Sequence, residues 1–187
     1  MKHYPHCPEP TPRAWTFPLV GTVSLAQPTF EQIGAVARLW EPLRRPSDTN
    51  GWEWLRVFTD ARDCVYALGL DPVVALYGTT ARNLDLGGVP TRRLNYFQIA
   101  PNLRGSGIAQ LAFAVFARMT ADFEGTELVV PSLPEPKVVK FYLEMAGVLQ
   151  APRNWQAPKG LISIHFDPAR LITLAEYADA LEEKTQP

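Results

Sequence analysis

Residues 101–111 read PNLRGSGIAQL and connect a predicted strand, RLNYFQIA, to a predicted helix that contains AFAVFARM. Glycine tolerates positive φ and lets a ligand approach the backbone closely. The first N–H groups of a helix lack intrahelical partners, and the helix dipole places partial positive charge beside them. With Arg104 next to Gly105 and Gly107, the joint predicts a binding site for a diphosphate. The glycines alone leave open a second interpretation, a tight turn that packs the helix closely.

Two other phosphate-binding loops fit this joint less well. A P-loop needs Lys and then Ser or Thr after its last glycine, and Ile108 and Ala109 stand there. A dinucleotide fingerprint needs a third small residue at its sixth position, where this chain has Gln110. It also needs an acidic residue at the end of a second strand, and Glu124 precedes that strand.

The composition restricts the function classes that the joint can serve. The chain has 187 residues, a formal net charge of −1 and 47% hydrophobic residues, as expected of one soluble globular domain. The charge offers no basic excess for nucleic acid, and no apolar run is long enough to span a membrane. The first residues lack the apolar region of a signal peptide. We therefore expect neither a nucleic-acid partner nor a membrane partner; whether the protein forms a homodimer stays open.

The cysteine pattern favours a reducing compartment. Cys7 and Cys64 are the only two cysteines and lie far apart, which does not predict a disulfide framework. We therefore expect a cytoplasmic protein with unpaired thiols. His3, His6 and Cys7 could be interpreted as a metal patch, but three such residues near a chain end are more typical of a solvated tail. No metal is expected.

Apolar periodicity and turn residues predict a mixed α/β domain. We expect residues 1–15 to be irregular and residues 16–187 to form one domain with an extra C-terminal helix. The predicted strands are 17–26, 64–70, 73–80, 92–100, 127–132, 148–152 and 160–167. The predicted helices are 30–41, 52–61, 106–122, one within 134–147, and a last one with a capping box at Thr173 and Glu176. This order indicates a mostly antiparallel, twisted sheet with one central βαβ crossover, flanked by helices.

The glycine joint resembles a loop of the GCN5-related N-acetyltransferases, the GNAT family. That family's acetyl-CoA loop has the pattern Gln/Arg-x-x-Gly-x-Gly/Ala, and PNLRGSGIA places Arg104, Gly107 and Ala109 at its three fixed positions. Pro101, three residues before the arginine, is also common there. The order of strands and helices over about residues 17–167 is similar to the family's fold.

A second stretch, KFYLEMAGV at 140–148, resembles the family's later helix, which carries Phe/Leu-Tyr and ends in a glycine. Phe141, Tyr142 and Gly147 match this motif, and Gly147 is predicted at the C′ position of the helix. Near this motif the chain departs from the family in two places: Glu135 stands where many members have asparagine, and Val138 stands where alanine is usual, three residues before Phe141.

The resemblance implies an N-acetyltransferase that moves an acetyl group from acetyl-CoA, its cosubstrate, to a primary amine by direct attack in a ternary complex. The acceptor would be a small molecule or an amino terminus. Backbone amides near Phe97 and Ile99 would hold the pantetheine and polarise the thioester carbonyl. Tyr142 is the implied catalytic residue, an acid for the departing thiolate; its alternative is a core tyrosine. The implied cofactor-binding residues are Phe97, Gln98, Ile99, Arg104, Gly105, Ser106, Gly107, Ile108, Ala109, Lys137, Phe141 and Tyr142.

The general base and the acceptor stay open at this point. The strand at 92–100 has no acidic residue, which leaves as candidates Asp71, Asp85, Glu135, Tyr77 and a water held by Gln98. His165 alternates out of phase with its apolar neighbours, which is typical of a surface histidine. In the family the first two helices and their link usually wall the acceptor side, and here these segments carry Trp40, Trp52, Trp54, Arg44 and Arg45. The resemblance therefore implies a flat or anionic acceptor, although core packing is the favoured role of Trp40.

Two other functions compete with the enzyme that the resemblance implies. A noncatalytic acyl-CoA-binding protein of the same fold is the main alternative. A toxin that acetylates aminoacyl-tRNA is opposed by the near-neutral charge.

Overall fold

A computed structural model describes residues 7–43, 54–60, 63–80, 84–86, 88–122, 126–149 and 156–182. The strands are β1 (Ala14–Phe17), β2 (Gly21–Ala26), β3 (Asp63–Leu68), β4 (Ala75–Thr80), β5 (Leu84–Asp85), β6 (Pro90–Ile99), β7 (Glu127–Ser132) and β8 (Ile162–Phe166). The α-helices are α1 (Phe30–Trp40), α2 (Trp54–Thr59), α3 (Ile108–Ala121), α4 (Pro136–Glu144) and α5 (Pro168–Asp179). Short 3₁₀ turns follow α1 and β6.

The strands form one sheet in the order β1-β2-β3-β4-β6-β7-β8, and β5 pairs with β6. The pair β6–β7 is parallel, and the other pairs are antiparallel. Helix α3 makes the connection between the two parallel strands. The predicted fold class, a mostly antiparallel sheet with one central βαβ crossover, is confirmed.

Two hydrophobic clusters cover the two faces of the sheet. Alternate residues of β3 enter different clusters: Cys64 and Tyr66 pack with α3 and α5, whereas Val65 and Ala67 pack with α1 and α2. Helix α3 contributes apolar residues nearly all round, as its sequence predicts. The face covered by α3 and α5 and the face covered by α1 and α2 are therefore chemically separate compartments.

Two elements differ from the prediction. The predicted strand 17–26 is the hairpin β1–β2, in which Phe17 pairs with Gly21. The last helix begins at Pro168, since the Asp167 carboxylate accepts from the Arg170 amide at 2.9 Å and Pro168 suits the first helical position. The predicted capping box at Thr173 is wrong, because Thr173 lies inside the helix.

A third difference concerns the two cysteines, which form a disulfide. Their Cα atoms lie 5.7 Å apart although the residues are 57 positions apart in sequence. The N-terminal segment returns to β3, where the Tyr66 hydroxyl donates to the Pro8 carbonyl at 2.7 Å and Gln27 donates to it at 3.1 Å. The expectation of unpaired thiols is wrong, because sequence separation does not report which strand a terminal segment meets.

Helix α4 ends on β8 through a Schellman motif. The Gly147 amide donates to the Tyr142 carbonyl at 2.9 Å and the Ala146 amide to the Leu143 carbonyl at 3.0 Å. The left-handed residue is Ala146, with φ of 62°, so the predicted C′ role of Gly147 is wrong by one position. Gly147 is required for space instead, since a Cβ there would lie 2.6 Å from Cγ2 of Ile164. This close contact sets α4, with Tyr142, against β8.

Replacing Gly147 by Ala should lower the free energy of unfolding by about 1–3 kcal/mol, because the added methyl group overpacks the contact with β8. Urea unfolding measures this loss. Gly34→Ala in α1 is the matched control, since the nearest atom to its new Cβ would be Nη1 of Arg38 at 3.5 Å. Because Ala has a higher helix propensity than Gly, the free energy of unfolding of Gly34→Ala should be unchanged or higher by up to about 1 kcal/mol. Equal stability of the two variants would contradict the packing described for Gly147.

Candidate active site

The two parallel strands separate halfway along their length. The last register pair between β6 and β7 joins Arg93 to Val129, although β6 continues to Ile99 and β7 to Ser132. Beyond this point β6 stays paired with β4, and β7 stays paired with β8. The result is an opening in the sheet between β6 and β7 whose apex lies at Arg93 and Val129.

The backbone of β6 directs unpaired groups into this opening. A bulge interrupts the β4–β6 register, with Gly78 opposite Tyr96 and Thr79 opposite Leu94. Past the bulge, the Ala100 amide points toward β4 and donates to the carbonyl of Val74, the residue before β4, at 2.9 Å. Because amides alternate in direction along a strand, those of Phe97 and Ile99 point to the other edge. Buried backbone groups require partners, so this edge can bind an extended ligand as an added strand would bind.

The glycine joint lies directly after this strand edge. Gly105 and Gly107 have φ of 80° and 85°, as the joint requires, and Gly107 is the N-cap of α3. A Cβ at either position would have nothing within 4 Å, so the space beside the loop is open. In the described ranges no backbone carbonyl accepts from the amides of Gly105, Gly107 and Ala109. The Ile108 amide donates to Ser106 Oγ at 3.4 Å.

This loop fits a diphosphate. The amides of Gly105, Gly107 and Ala109 lie at the positive end of a helix, and Arg104, a half-buried residue next to them in sequence, adds a full charge. The side chain of Ile108 is buried, so only its backbone faces the loop. Helix α3 begins at Ile108, two residues later than predicted.

Aromatic rings close the opening on the face covered by α3. Phe97 stacks on Tyr77 with ring centroids 5.4 Å apart and lies 6.2 Å from Phe141. Phe113 of α3 lies 5.9 Å from Phe141 and 5.4 Å from Tyr142. The helices α3 and α4 therefore supply an apolar wall beside the strand edge. We call these four residues, Phe97, Phe113, Phe141 and Tyr142, the aromatic wall.

Tyr142 is buried in this wall with 6% of its surface exposed. Burial raises the pKa of its hydroxyl above the usual range, so the group stays protonated at neutral pH. A hydroxyl in this state can donate a hydrogen bond to an anion that forms next to it. It is a weaker acid than a thiol, so it would stabilise a departing thiolate through that bond more readily than by full proton transfer.

Two other predicted residues lie away from the wall. The Gln98 side chain is on the opposite face, where its Oε1 accepts from the Trp54 indole N–H at 2.6 Å. Its Nε2 has no hydrogen-bond partner although Gln98 is only 8% exposed. Of Gln98, only the backbone can therefore contact a ligand at the strand edge. Lys137 is exposed in the first turn of α4.

The structure removes most of the candidate bases. The Tyr77 hydroxyl donates to the Ala112 carbonyl at 2.7 Å, and complete burial raises its pKa well above the usual range. Asp71 lines a groove with Ala100 at the loop end of β6, away from the apex of the opening. Glu135 is exposed at the N-cap of α4. The Asp85 side chain lies outside the described residues, as do Trp52, Arg44 and Arg45.

Polar groups gather at the apex on the face opposite the aromatic wall. Arg93, Val129 and His165 are in register across β6, β7 and β8, so their side chains share one face. His165 Nε2 lies 2.9 Å from Oε2 of Glu127. On β6, the extra residue of the bulge, Asn95, donates through Nδ2 to Oδ1 of Asp63 at 2.6 Å.

His165 is therefore not the surface histidine that the sequence indicates. Its side chain is 13% exposed and bonded to a carboxylate. Alternation correctly predicts that it faces away from the core of Ile164 and Phe166. Its partner is 38 positions away and becomes visible only when β7 and β8 are paired.

Comparisons with known proteins identify the fold. No protein-family model matches the chain, and no curated protein sequence matches it. Solved structures do match. An uncharacterized protein from Bacillus halodurans aligns over 91% of this chain and 100% of its own, with a TM-score of 0.64 and 10% identity.

Two further matches come from proteins of stated type. A chimera of the spermidine N-acetyltransferase SpeG from Vibrio cholerae covers 80% of this chain and 98% of its own (TM-score 0.60, 11% identity). The loading GNATL domain of CurA from Lyngbya majuscula covers 79% and 98% (TM-score 0.56, 14% identity). The chain has the GNAT fold. At these identities the likeness establishes the fold, and the GNAT chemistry of this chain has to be argued from its own residues.

The described residues contain neither a membrane-spanning helix nor a cluster of metal ligands. None of the helices there has both the length and the apolar character needed to cross a membrane. Among the same residues, no three or more His, Cys, Asp or Glu side chains are grouped as a metal site would need.

Arg104→Glu should weaken the binding of acetyl-CoA and of CoA more than tenfold, because it places a negative charge beside the diphosphate site. Both ligands should raise the melting temperature of the unchanged protein, since the diphosphate is common to them. Isothermal titration calorimetry and thermal unfolding measure these effects. Arg38→Glu reverses the charge of an exposed residue of α1. This variant should keep the affinity of the unchanged protein for both ligands and the rise in melting temperature that they cause. Equal affinity in the two variants would rule out the glycine joint as the diphosphate site.

Proposed function

We propose that the protein is an N-acetyltransferase that moves an acetyl group from acetyl-CoA to a primary amine of a small molecule or an amino terminus. The observation that carries this proposal is the unpaired edge of β6, which leads directly into the Arg104–Gly107 loop at the start of α3. Within a GNAT fold, that arrangement suits a nucleotide diphosphate followed by an extended amide-containing chain. Residues 16–187 would act as one domain.

Different residues would bind different parts of acetyl-CoA. The amides of Gly105, Gly107 and Ala109, with Arg104, would hold the diphosphate. The backbone of Phe97 and Ile99 would pair with the pantetheine amides, and the aromatic wall would exclude water from the thioester. When bound, acetyl-CoA supplies an acyl group that is already activated. No metal takes part in this proposal.

Tyr142 would stabilise the leaving group. Its hydroxyl is kept protonated by burial, and the ring is fixed by Phe113 at 5.4 Å and Phe141 at 5.0 Å. A hydrogen bond to the sulfur gains strength only as negative charge develops there, so its contribution belongs to the transition state. The carbonyl oxygen would take its hydrogen bonds from fixed backbone amides of β6 near the apex.

The acceptor side differs from the aromatic and basic wall that the sequence favours. Trp40 and Trp54 are both buried, and Trp54 donates to Gln98. Their burial fits a core role, which is the favoured role of Trp40, and leaves little ring surface for contact with an acceptor. We keep the broader proposal of a small-molecule or amino-terminal amine, since the formal charge of −1 gives no support for nucleic acid as a partner.

We also propose a cytoplasmic location. Reductants there keep most thiols reduced, so persistence of the Cys7–Cys64 bond would depend on shielding. Cys64 is 1% exposed, which limits access to its sulfur. Counting free thiols in protein denatured directly from acid-quenched cells tests this point.

Acetyl transfer to a panel of primary amines, followed by the kinetics of Tyr142→Phe, tests the proposed function. The variant keeps the ring and loses one hydroxyl, so kcat and kcat/KM should fall together by roughly 10²-fold or more, with little change in acetyl-CoA affinity. Tyr77→Phe is the matched control, because it removes a buried hydroxyl that donates to the Ala112 carbonyl of α3. It should lower the melting temperature and leave kcat nearly normal.

Unchanged kcat in Tyr142→Phe with a lowered melting temperature would make Tyr142 a core residue. If the unchanged protein binds acetyl-CoA and acetylates none of the amines, the noncatalytic acyl-CoA-binding alternative takes the place of the enzyme.

A further inference from the structure

We propose that His165, held by Glu127, is the general base that takes the proton from the acceptor amine. This inference rests on the proposed function and supplies the group that the strand at 92–100 lacks. An alkylamine resembling lysine, with a pKa near 10.4, is almost entirely protonated at neutral pH, so a base must remove its proton before attack. The remaining steps concern where the amine enters, how far the imidazole reaches and which of its atoms is available.

The amine has to enter from the face of the sheet that His165 occupies. The other face of the opening is filled by the aromatic wall, in which the centroids of neighbouring rings lie 5.0–6.2 Å apart. Ile164 and Phe166 are completely buried on that side, so strand alternation directs His165 to the opposite side. An acceptor that approached through the wall would have to displace buried rings, whereas the opposite side presents polar groups.

The imidazole is within working distance of the apex. Arg93, Val129 and His165 are in register on three adjacent strands, so with about 4.8 Å between strands the His165 backbone lies about 10 Å from that of Arg93. The reacting carbonyl would lie between β6 and β7. Its distance from His165 would therefore be shorter than the distance between Arg93 and His165. The ring is bonded to Glu127, which pairs with Thr91 on the closed side of the apex, so an ordered water would carry the proton from the amine to Nδ1.

Glu127 fixes the imidazole in the form that a base needs. In the proposed resting state the neutral imidazole donates from Nε2 to Glu127 Oε2, 2.9 Å away, which leaves the lone pair on Nδ1. The carboxylate also stabilises the imidazolium that forms when Nδ1 takes a proton. This is the arrangement in which a histidine is oriented by a carboxylate and stays free to exchange a proton at its other nitrogen.

The polar groups around His165 have unused hydrogen-bonding capacity. Arg93 on β6 and Ser163 on β8 share its face, and Arg93 Nε and Ser163 Oγ are buried without a hydrogen-bond partner among the described residues. Val148, which bridges to His165 from the other side, is apolar. Glu127, Arg93 and Ser163 are therefore the polar and charged groups facing it from the paired strands. Unpaired buried donors are costly in a purely structural cluster and are expected where a polar acceptor binds.

The proton and electron balance is simple. His165 Nδ1 takes one proton from the ammonium group, which leaves a neutral amine. The amine nitrogen forms a bond to the acetyl carbon, and the carbon–sulfur bond breaks with its electron pair on sulfur. The second proton of the nitrogen ends on the sulfur as a thiol, and His165 returns its proton to water.

The pH profile of kcat/KM for His165→Gln tests the base directly, with saturating acetyl-CoA and the most rapidly acetylated of phenethylamine, tyramine and putrescine. At pH 7 the variant should be slower by roughly 10²–10³-fold. As the pH is raised, kcat/KM of the variant should increase about tenfold per pH unit up to the pKa of the amine, since only the neutral amine reacts. In the unchanged protein, kcat/KM should reach its plateau at a lower pH. In Glu127→Gln, kcat/KM at pH 7 should be about tenfold lower, and the plateau of the pH profile should be reached at a different pH than in the unchanged protein.

Controls separate the base from a structural pair. Glu176→Gln, on the exposed side of α5, should leave rate and profile unchanged. Acetyl-CoA affinity, measured by calorimetry, should be unchanged in all three variants. Added imidazole should restore turnover in His165→Ala in proportion to its concentration. A lowered melting temperature with an unaltered pH profile would make the Glu127–His165 pair a strand clamp and overturn the inference.

The failure of this inference is distinct from the failure of the proposed function. If the unchanged protein acetylates one of the three amines and His165→Gln keeps its rate and profile, the base assignment alone is wrong. If the unchanged protein acetylates neither a small primary amine nor an amino terminus, the proposed function fails and the inference fails with it.

Discussion

The pairing between β6 and β7 ends at Arg93 and Val129, and the candidate site depends on this interruption. A parallel pair that continued to Ile99 would satisfy the amides of Phe97 and Ile99 within the sheet and leave nothing for a ligand. The bulge at Asn95 and the continued pairing of each strand with its other neighbour hold the two edges apart. The opening is thus built into the sheet, and unmet backbone hydrogen bonds favour a ligand that completes it.

The two faces of this opening differ in chemistry, one being aromatic and the other polar. Helices α3 and α4 bring aromatic rings to one face, and the close contact that only glycine permits at residue 147 sets α4 against β8. The other face carries the Glu127–His165 pair and polar atoms without partners. Because β6, β7 and β8 are shared by both faces, a leaving group and a proton acceptor can act on opposite sides of one thioester without competing for space.

The sequence predicts the local features and not the long-range partners. Positive φ at Gly105 and Gly107 could be predicted, because paired glycines at a strand-to-helix joint are typical of a left-handed backbone. A motif predicted that Tyr142 lies in a helix, as it does in α4, and its chemical role stays a prediction. The Cys7–Cys64 bond and the Glu127–His165 pair could not be predicted, since each joins residues that only the sheet order brings together. The N-cap at Asp167 could not be distinguished from the Thr-x-x-Glu pattern that follows it, because both patterns are typical of a helix start.

Hydrogen–deuterium exchange of the full chain, with and without saturating CoA, tests the central claim most directly. We predict slower exchange at the amides of Phe97, Ile99, Gly105 and Gly107 when CoA is present, because these groups gain partners. The hairpin β1–β2, at the far edge of the sheet, should exchange at the same rate in both states. Protection elsewhere, with the β6 edge and the glycine joint unchanged at saturating CoA, would contradict the proposed use of the opening.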